Sequence, residues 1–134
     1  MSQRDVIAQV SSEAGDEHWL VHMTAGRHGL LSDASEADGG GAVGPDPFTY
    51  VLAGLVACTS GTLRMFAERH AILLQHVHVD ARAVRVENDR VEIERELRLV
   101  GDLDAEDLER LTQVAERTPV TRALRTGIDI RTVT

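Results

Sequence analysis

The chain has one cysteine, no lysine, three prolines and, with two Phe, one Trp and one Tyr, four aromatic residues in 134. Each shortage closes a class of explanation. One cysteine cannot form an internal disulfide, so this is not a small secreted module held by cross-links, and a chain of this length can bury a single core without them. The formal net charge of −8 repels phosphate backbones, and so few aromatics leave little for bases to stack on, which excludes nucleic acid as a partner. All fourteen basic residues are arginine, but they are scattered along the chain, as a coding preference would leave them, and form no phosphate-binding patch. No G-x-S-x-G, H-E-x-x-H or Walker pattern occurs. The longest run without charge, Phe48 to Leu63, is sixteen residues, contains Gly54, Thr59, Ser60 and Gly61, and falls short of the ~20 apolar residues that span a bilayer. The opening segment MSQRDVIAQV lacks the apolar core of a signal peptide. The expectation is a soluble, cytoplasmic protein with no membrane partner.

What is present reads as one α+β domain over residues 1–134. DVIAQVSS and HWLVHMTA, separated by the turn-rich EAGDE, suit a hairpin, and RHGLLSDA suits a third strand. Residues 35–47, SEADGGGAVGPDP, carry four glycines and two prolines without the spacing of a phosphate loop, which predicts a flexible connector. Asp46 as N-cap and Pro47 in the first turn open a helix running to about Ala71. In RVEIERELRLV, Val91, Ile93, Leu97 and Leu99 share one strand face and the glutamates share the other, with Arg95 the one charged residue on the apolar side. HVHVDARAVRV supplies the partner strand, with a phase shift at Ala83–Val84 that suggests a bulge, and ENDR supplies the turn. Asp104 caps a helix to about Arg117 with Asp107 in the capping-box position and an apolar stripe of Leu108, Leu111, Val114 and Ala115. Thr118-Pro119 opens a shorter helix that Gly127 ends, and IDIRTVT is predicted to close the chain as a strand. Because strands run consecutively and do not alternate with helices, the class is α+β.

The first helix is apolar or small on every side over four turns, as expected of a helix buried all round. One sheet covers one face only, so a second subunit packed on the other face, making a homodimer, is the simplest arrangement.

Two constellations bear on chemistry. Cys58 lies in LVACTSG, with Val51, Leu55, Thr62 and Met65 on its side of the helix. An isolated thiol there either fills space or reacts, and reaction needs a nearby cation to favour the thiolate, for which Arg27 in AGRHG is available. His76 and His78 alternate on one strand face, but no cysteine or carboxylate stands at supporting spacing, so no metal site and no cofactor is expected.

Further residues carry a resemblance. GRHGLLSDASEADGGG, GPDPFTYVLAGLVACTSGTLRMFAERHAI, IERELRLVGDLDAEDLERL and AERTPVTRALRTGIDI together resemble the OsmC and organic-hydroperoxide-resistance (Ohr) family over most of residues 24–132. The resemblance implies an OsmC-like fold: antiparallel sheets on a long buried central helix, in an intertwined homodimer with active sites at the interface. It implies a thiol peroxidase of oxidative-stress defence that reduces organic hydroperoxides. Cys58 matches the peroxidatic cysteine, and Arg27 is the best match to the arginine that holds it as thiolate. Two of the family's parts are absent. Thr118 stands where a resolving cysteine precedes Pro-Val, and Thr49 stands at about the position of the glutamate that fixes the arginine, leaving Asp46 as one possible substitute. A peroxidase would then use Cys58 alone with an external thiol reductant. The alternative is a catalytically degenerate member whose dimer cleft binds a small apolar ligand.

Overall fold

The computed structural model describes residues 4–134. It has antiparallel sheets and a long helix, the α+β class expected, and its backbone divides into two compact units at Tyr50/Val51.

The N-terminal unit is a three-stranded antiparallel sheet in the order β1 (Ser11–Glu13), β2 (Val21–Ala25), β3 (His28–Ser32). β2 and β3 are shorter than their sequence patterns, and β1 is displaced: it keeps only Ser11 and Ser12 of DVIAQVSS and takes Glu13 from the expected turn. The glycine-rich stretch after β3 is not a loose connector but a pinned loop. Asp33, 5% exposed, accepts from the backbone N–H of Ala34, Gly41 and Val43 at 2.8, 3.1 and 3.2 Å. Those three amides hold its carboxyl below the usual carboxylate range, the Val43 amide most of all. Ser35 caps a 3-10 turn over Glu36–Asp38, and the Ser32 hydroxyl donates to Pro45 C=O at 2.9 Å. Glycine is required at position 40 because a Cβ there would lie 2.1 Å from Ala34 O. The phenol of Tyr50 ties the loop's exit to β3 by donating to Leu31 C=O at 2.6 Å.

Helix α1 (Pro47–Arg69) runs from this unit into the second. Its start is as predicted: the Asp46 carboxylate accepts from the Thr49 N–H at 2.8 Å. Its burial is not. Only Leu55, Thr59, Leu63 and Ala67, spaced at i, i+4, are buried, while Phe48, Val51 and Met65 are 50%, 41% and 51% exposed. The helix is buried on a single stripe, the one packed against the hairpin and helices of the second unit.

The second unit is built on the long hairpin of β4 (Leu73–Arg85) and β5 (Val91–Asp102). Its turn is a 3-10 turn over Glu87–Asp89 with Asn88 at φ 62°. The register is continuous from His76 to Arg85, so no bulge lies at Ala83–Val84. The irregularity falls between Leu74 and His76, where the Arg64 guanidinium donates to the carbonyls of Leu74 and Gln75 at 2.5 and 3.1 Å. A cation from α1 thus bonds carbonyls at the irregularity itself, which lies at the helix-proximal end of the hairpin and not near its turn.

Helix α2 (Ala105–Ala115) carries the predicted reciprocal capping box between Asp104 and Asp107, and α3 (Pro119–Thr126) carries the predicted Thr118 cap. Leu63 and Leu111 are fully buried at the centre of a core completed by Ala67, Ile72, Leu74 and Ala115. Each such leucine contributes about 1.5–3 kcal/mol by leaving water. Of the stripe predicted on α2, Leu108 is 41% exposed. The segment IDIRTVT is not a strand: from Gly127 on the chain has no regular secondary structure and no ladder partners, and Ile128 and Ile130 are 64% and 90% exposed. Its alternating pattern is strand-like, but a strand exists only where an edge is there to pair with.

Candidate functional site

Cys58 lies on the rim of the buried stripe of α1. It is half-buried, its Sγ is 4.0 Å from the Thr62 hydroxyl, and its i±7 neighbours Val51 and Met65 face outward. It is therefore not core filling: the thiol borders the open apolar face of the helix. Thr59, the next residue, points the other way. It is fully buried, donates to Leu55 C=O at 2.7 Å, and accepts from Arg95.

Arg95 is the centre of the best-built polar cluster in the second unit. Its inward position on β5 follows from strand alternation, and its side chain is 11% exposed. One terminal nitrogen donates to the hydroxyls of Thr59 at 3.0 Å and Thr121 at 2.8 Å. The other donates to Ala115 C=O at 3.0 Å and lies 3.6 Å from the Glu116 carboxylate. The forked guanidinium thereby serves α1, the end of α2 and the start of α3 together, which a single ammonium point charge does not. Glu116 is shared: Arg125 donates to its carbonyl at 3.0 Å and pairs with its carboxylate. The Arg125 hydrogen bond, with the charges of Arg125 and Arg95 behind it, holds the Glu116 carboxyl below its ordinary range. The sequence marks Arg95 as the one charge on an apolar face, and that signal was sufficient to flag it. Its role as a junction depended on where Thr59 and Thr121 fell, which no spacing rule supplies.

Thr118, at the resolving-cysteine position, is fully buried. Its hydroxyl lies 2.7 Å from that of Thr121 and accepts the Thr121 N–H at 3.2 Å. It is thus part of the Arg95 cluster and caps α3. Thr49 is exposed at the third position of α1, where its amide and hydroxyl both bond Asp46 and hold that carboxyl below its ordinary range. Arg27 is exposed in the β2–β3 turn, after Gly26. Asp46 spends its carboxylate on Thr49 and makes no ion pair with Arg27 among the described residues. His76 and His78 are exposed on β4 with ring centroids 6.2 Å apart, and no group of three or more His, Cys, Asp or Glu is placed to share a metal ion among the described residues.

The sequence profile of the family described as OsmC-like protein matches residues 38–133. Among solved structures, the chain is similar to an OsmC-like protein from Mycoplasma pneumoniae (17% identity, TM-score 0.78), covering 91% of this chain and 89% of that one. It is similar to an organic hydroperoxide resistance protein, OsmC, from Legionella pneumophila (20% identity, TM-score 0.68, 92% of each chain). The organic hydroperoxide resistance protein OhrB of Bacillus subtilis matches with 24% identity and a TM-score of 0.62, covering 92% of this chain and 94% of that one. No curated protein sequence gives a significant match.

Proposed function

The chain belongs to the OsmC-like protein family, and on that premise we propose that it acts in defence against organic hydroperoxides, as a thiol peroxidase in which Cys58 works alone. The observation that carries this reading is the placement of Cys58, half-buried at the rim of an apolar helix face, where an apolar hydroperoxide meets the thiol outside the packed core. The Cys58 thiolate attacks the terminal oxygen of the O–O bond. That bond breaks, Cys58 becomes a sulfenic acid, and the departing alkoxide takes a proton to leave as the alcohol. With Thr118 and no second cysteine in the chain, an external thiol condenses with the sulfenic acid to a mixed disulfide and releases water. A second external thiol then attacks the first one's sulfur, which breaks the mixed disulfide, releases the Cys58 thiolate and joins the two external thiols as a disulfide. Arg27 is the cation proposed to favour the thiolate.

The exposed apolar face of α1 supports a homodimer, since a second copy laid on it supplies the layer that the single chain lacks. A core helix in such a dimer also accounts for the length and apolarity of α1, and a cytoplasmic place suits a reduced single thiol. A second reading, a family member that binds a small apolar ligand without turnover, draws on the threonines at positions 49 and 118, which are committed to helix capping.

The deciding experiment treats the reduced protein with one equivalent of cumene hydroperoxide in the presence of dimedone and reads intact mass. One dimedone adduct at Cys58, and loss of hydroperoxide consumption in Cys58→Ser with the dimer retained, are expected. A thiol still reduced after excess peroxide, or full activity in Cys58→Ser, overturns the peroxidase reading and leaves the ligand-binding one.

A further inference from the structure

The Arg95 cluster borders a half-open cavity of about 430 Å³, within the second unit, a volume suited to a small organic molecule. Its wall has apolar side chains, Leu55 of α1, Val91 and Ile93 of β5, and Leu124 of α3. It also carries the ion-paired group of Arg95, Glu116 and Arg125. Two guanidiniums against one carboxylate leave an excess of one positive charge there, in a chain whose formal net charge is −8. Arg95 is spent on protein acceptors, but Arg125 uses two of its five N–H donors, one on the Glu116 carbonyl and one on its carboxylate, and is 58% exposed. Cys58 is not in the wall.

From this juxtaposition we propose that the cavity is a binding site for a small organic monoanion, a carboxylate with an apolar chain. The carboxylate pairs with the remaining donors of Arg125, and the chain lies along Ile93 and Leu124. A planar fork suits a carboxylate, the single excess charge suits a monoanion, and the apolar side chains of the wall favour an anion that carries a chain over a small hydrated one. The site does not use the thiol chemistry, so it stands or falls apart from the peroxidase reading.

The test is titration of the ¹⁵N-labelled full chain with hexanoate, hexan-1-ol and acetate, read by amide shifts. Hexanoate is expected to move the amides of Ile93, Thr121, Leu124 and Arg125 and to saturate. Hexanol lacks the charge and acetate lacks the chain, and each binds at least about tenfold more weakly, the worth of one charge-assisted hydrogen bond. Arg125→Gln weakens hexanoate about tenfold, leaves hexanol unchanged, and Cys58→Ser changes neither. Val91→Glu, at a 40%-exposed position of β5, places a like charge at the cavity and removes hexanoate binding. Equal affinity for hexanol, shifts confined to other residues, undiminished binding in Arg125→Gln, or no saturation would each overturn the assignment.

Discussion

Arg95→Ala is the sharpest test of the junction that β5 forms with the three helices. The substitution removes donors to Thr59, Thr121 and the Ala115 carbonyl and the 3.6 Å approach to Glu116. Hydrogen bonds to a charged group are worth about 1.5–3 kcal/mol each, so a bare sum exceeds 4 kcal/mol. Two effects reduce it. Thr59 keeps its bond to Leu55 C=O, and Thr121 keeps Thr118 and a 3.4 Å contact to the Ala115 carbonyl, so no acceptor is left wholly bare. The folded state also no longer desolvates a guanidinium. Against these stands the hole left by the side chain. The expected loss is about 3–5 kcal/mol, or a fall in Tm of roughly 10–20 °C for a chain of this size. Arg95→Met keeps the packed stem and loses only the polar head, so it should cost about 2 kcal/mol. Urea melts at fixed protein concentration give both values, and a cycle of Arg95→Met with Thr121→Val should show coupling of about 1 kcal/mol. A loss below about 1 kcal/mol in Arg95→Ala, or Arg95→Met as stable as the native chain, would mean that desolvation cancels the bonds and that the cluster is not what joins these elements.

Two further outcomes follow from the fold. Asp33 and Glu116 both have folded-state carboxyl pKa values below their ordinary 3.8 and 4.5, so their stabilisation is complete above those values and is lost as pH falls through the depressed ones. Thermal melts should be flat from pH 8 to about 5 and fall steeply below about 4.5, with a shallower acid limb in Asp33→Asn; an unchanged Tm at pH 3 would contradict this. Gly101 stands opposite the bulge, where a Cβ would lie 2.1 Å from Leu73 O, so Gly101→Ala should cost about 1–3 kcal/mol by urea denaturation, and a neutral result would show that the bulge yields.

Local rules carried the second unit well. Period-two alternation placed Val91 to Leu99 correctly, and the caps at Asp46, Asp104 and Thr118 are all where residue type put them. These features depend on neighbours within a few residues, which is what a sequence displays. The misses share the opposite property. IDIRTVT has strand composition but no edge to pair with, the bulge at Gln75 answers to Arg64 eleven residues away, and the glycine loop is held by Asp33 reaching eight and ten residues ahead. The candidate site divides along the same line. Cys58 is legible as a lone thiol on an apolar helix. That Thr118 occupies the missing cysteine's place as a working part of the Arg95 cluster emerges only when β5, α2 and α3 meet.

That meeting also constrains how the sequence can drift. The inward positions of β5 held by Ile93, Leu97 and Leu99 ask only for apolar volume, and one aliphatic residue can replace another there at small cost. Position 95 asks for a planar fork whose two arms reach different elements, so lysine, though it keeps the charge, cannot stand in. Threonines 59, 118 and 121 are bound to the same requirement. The four positions are energetically coupled although they are spread over 63 residues of chain, so a change at any one alters what the others contribute.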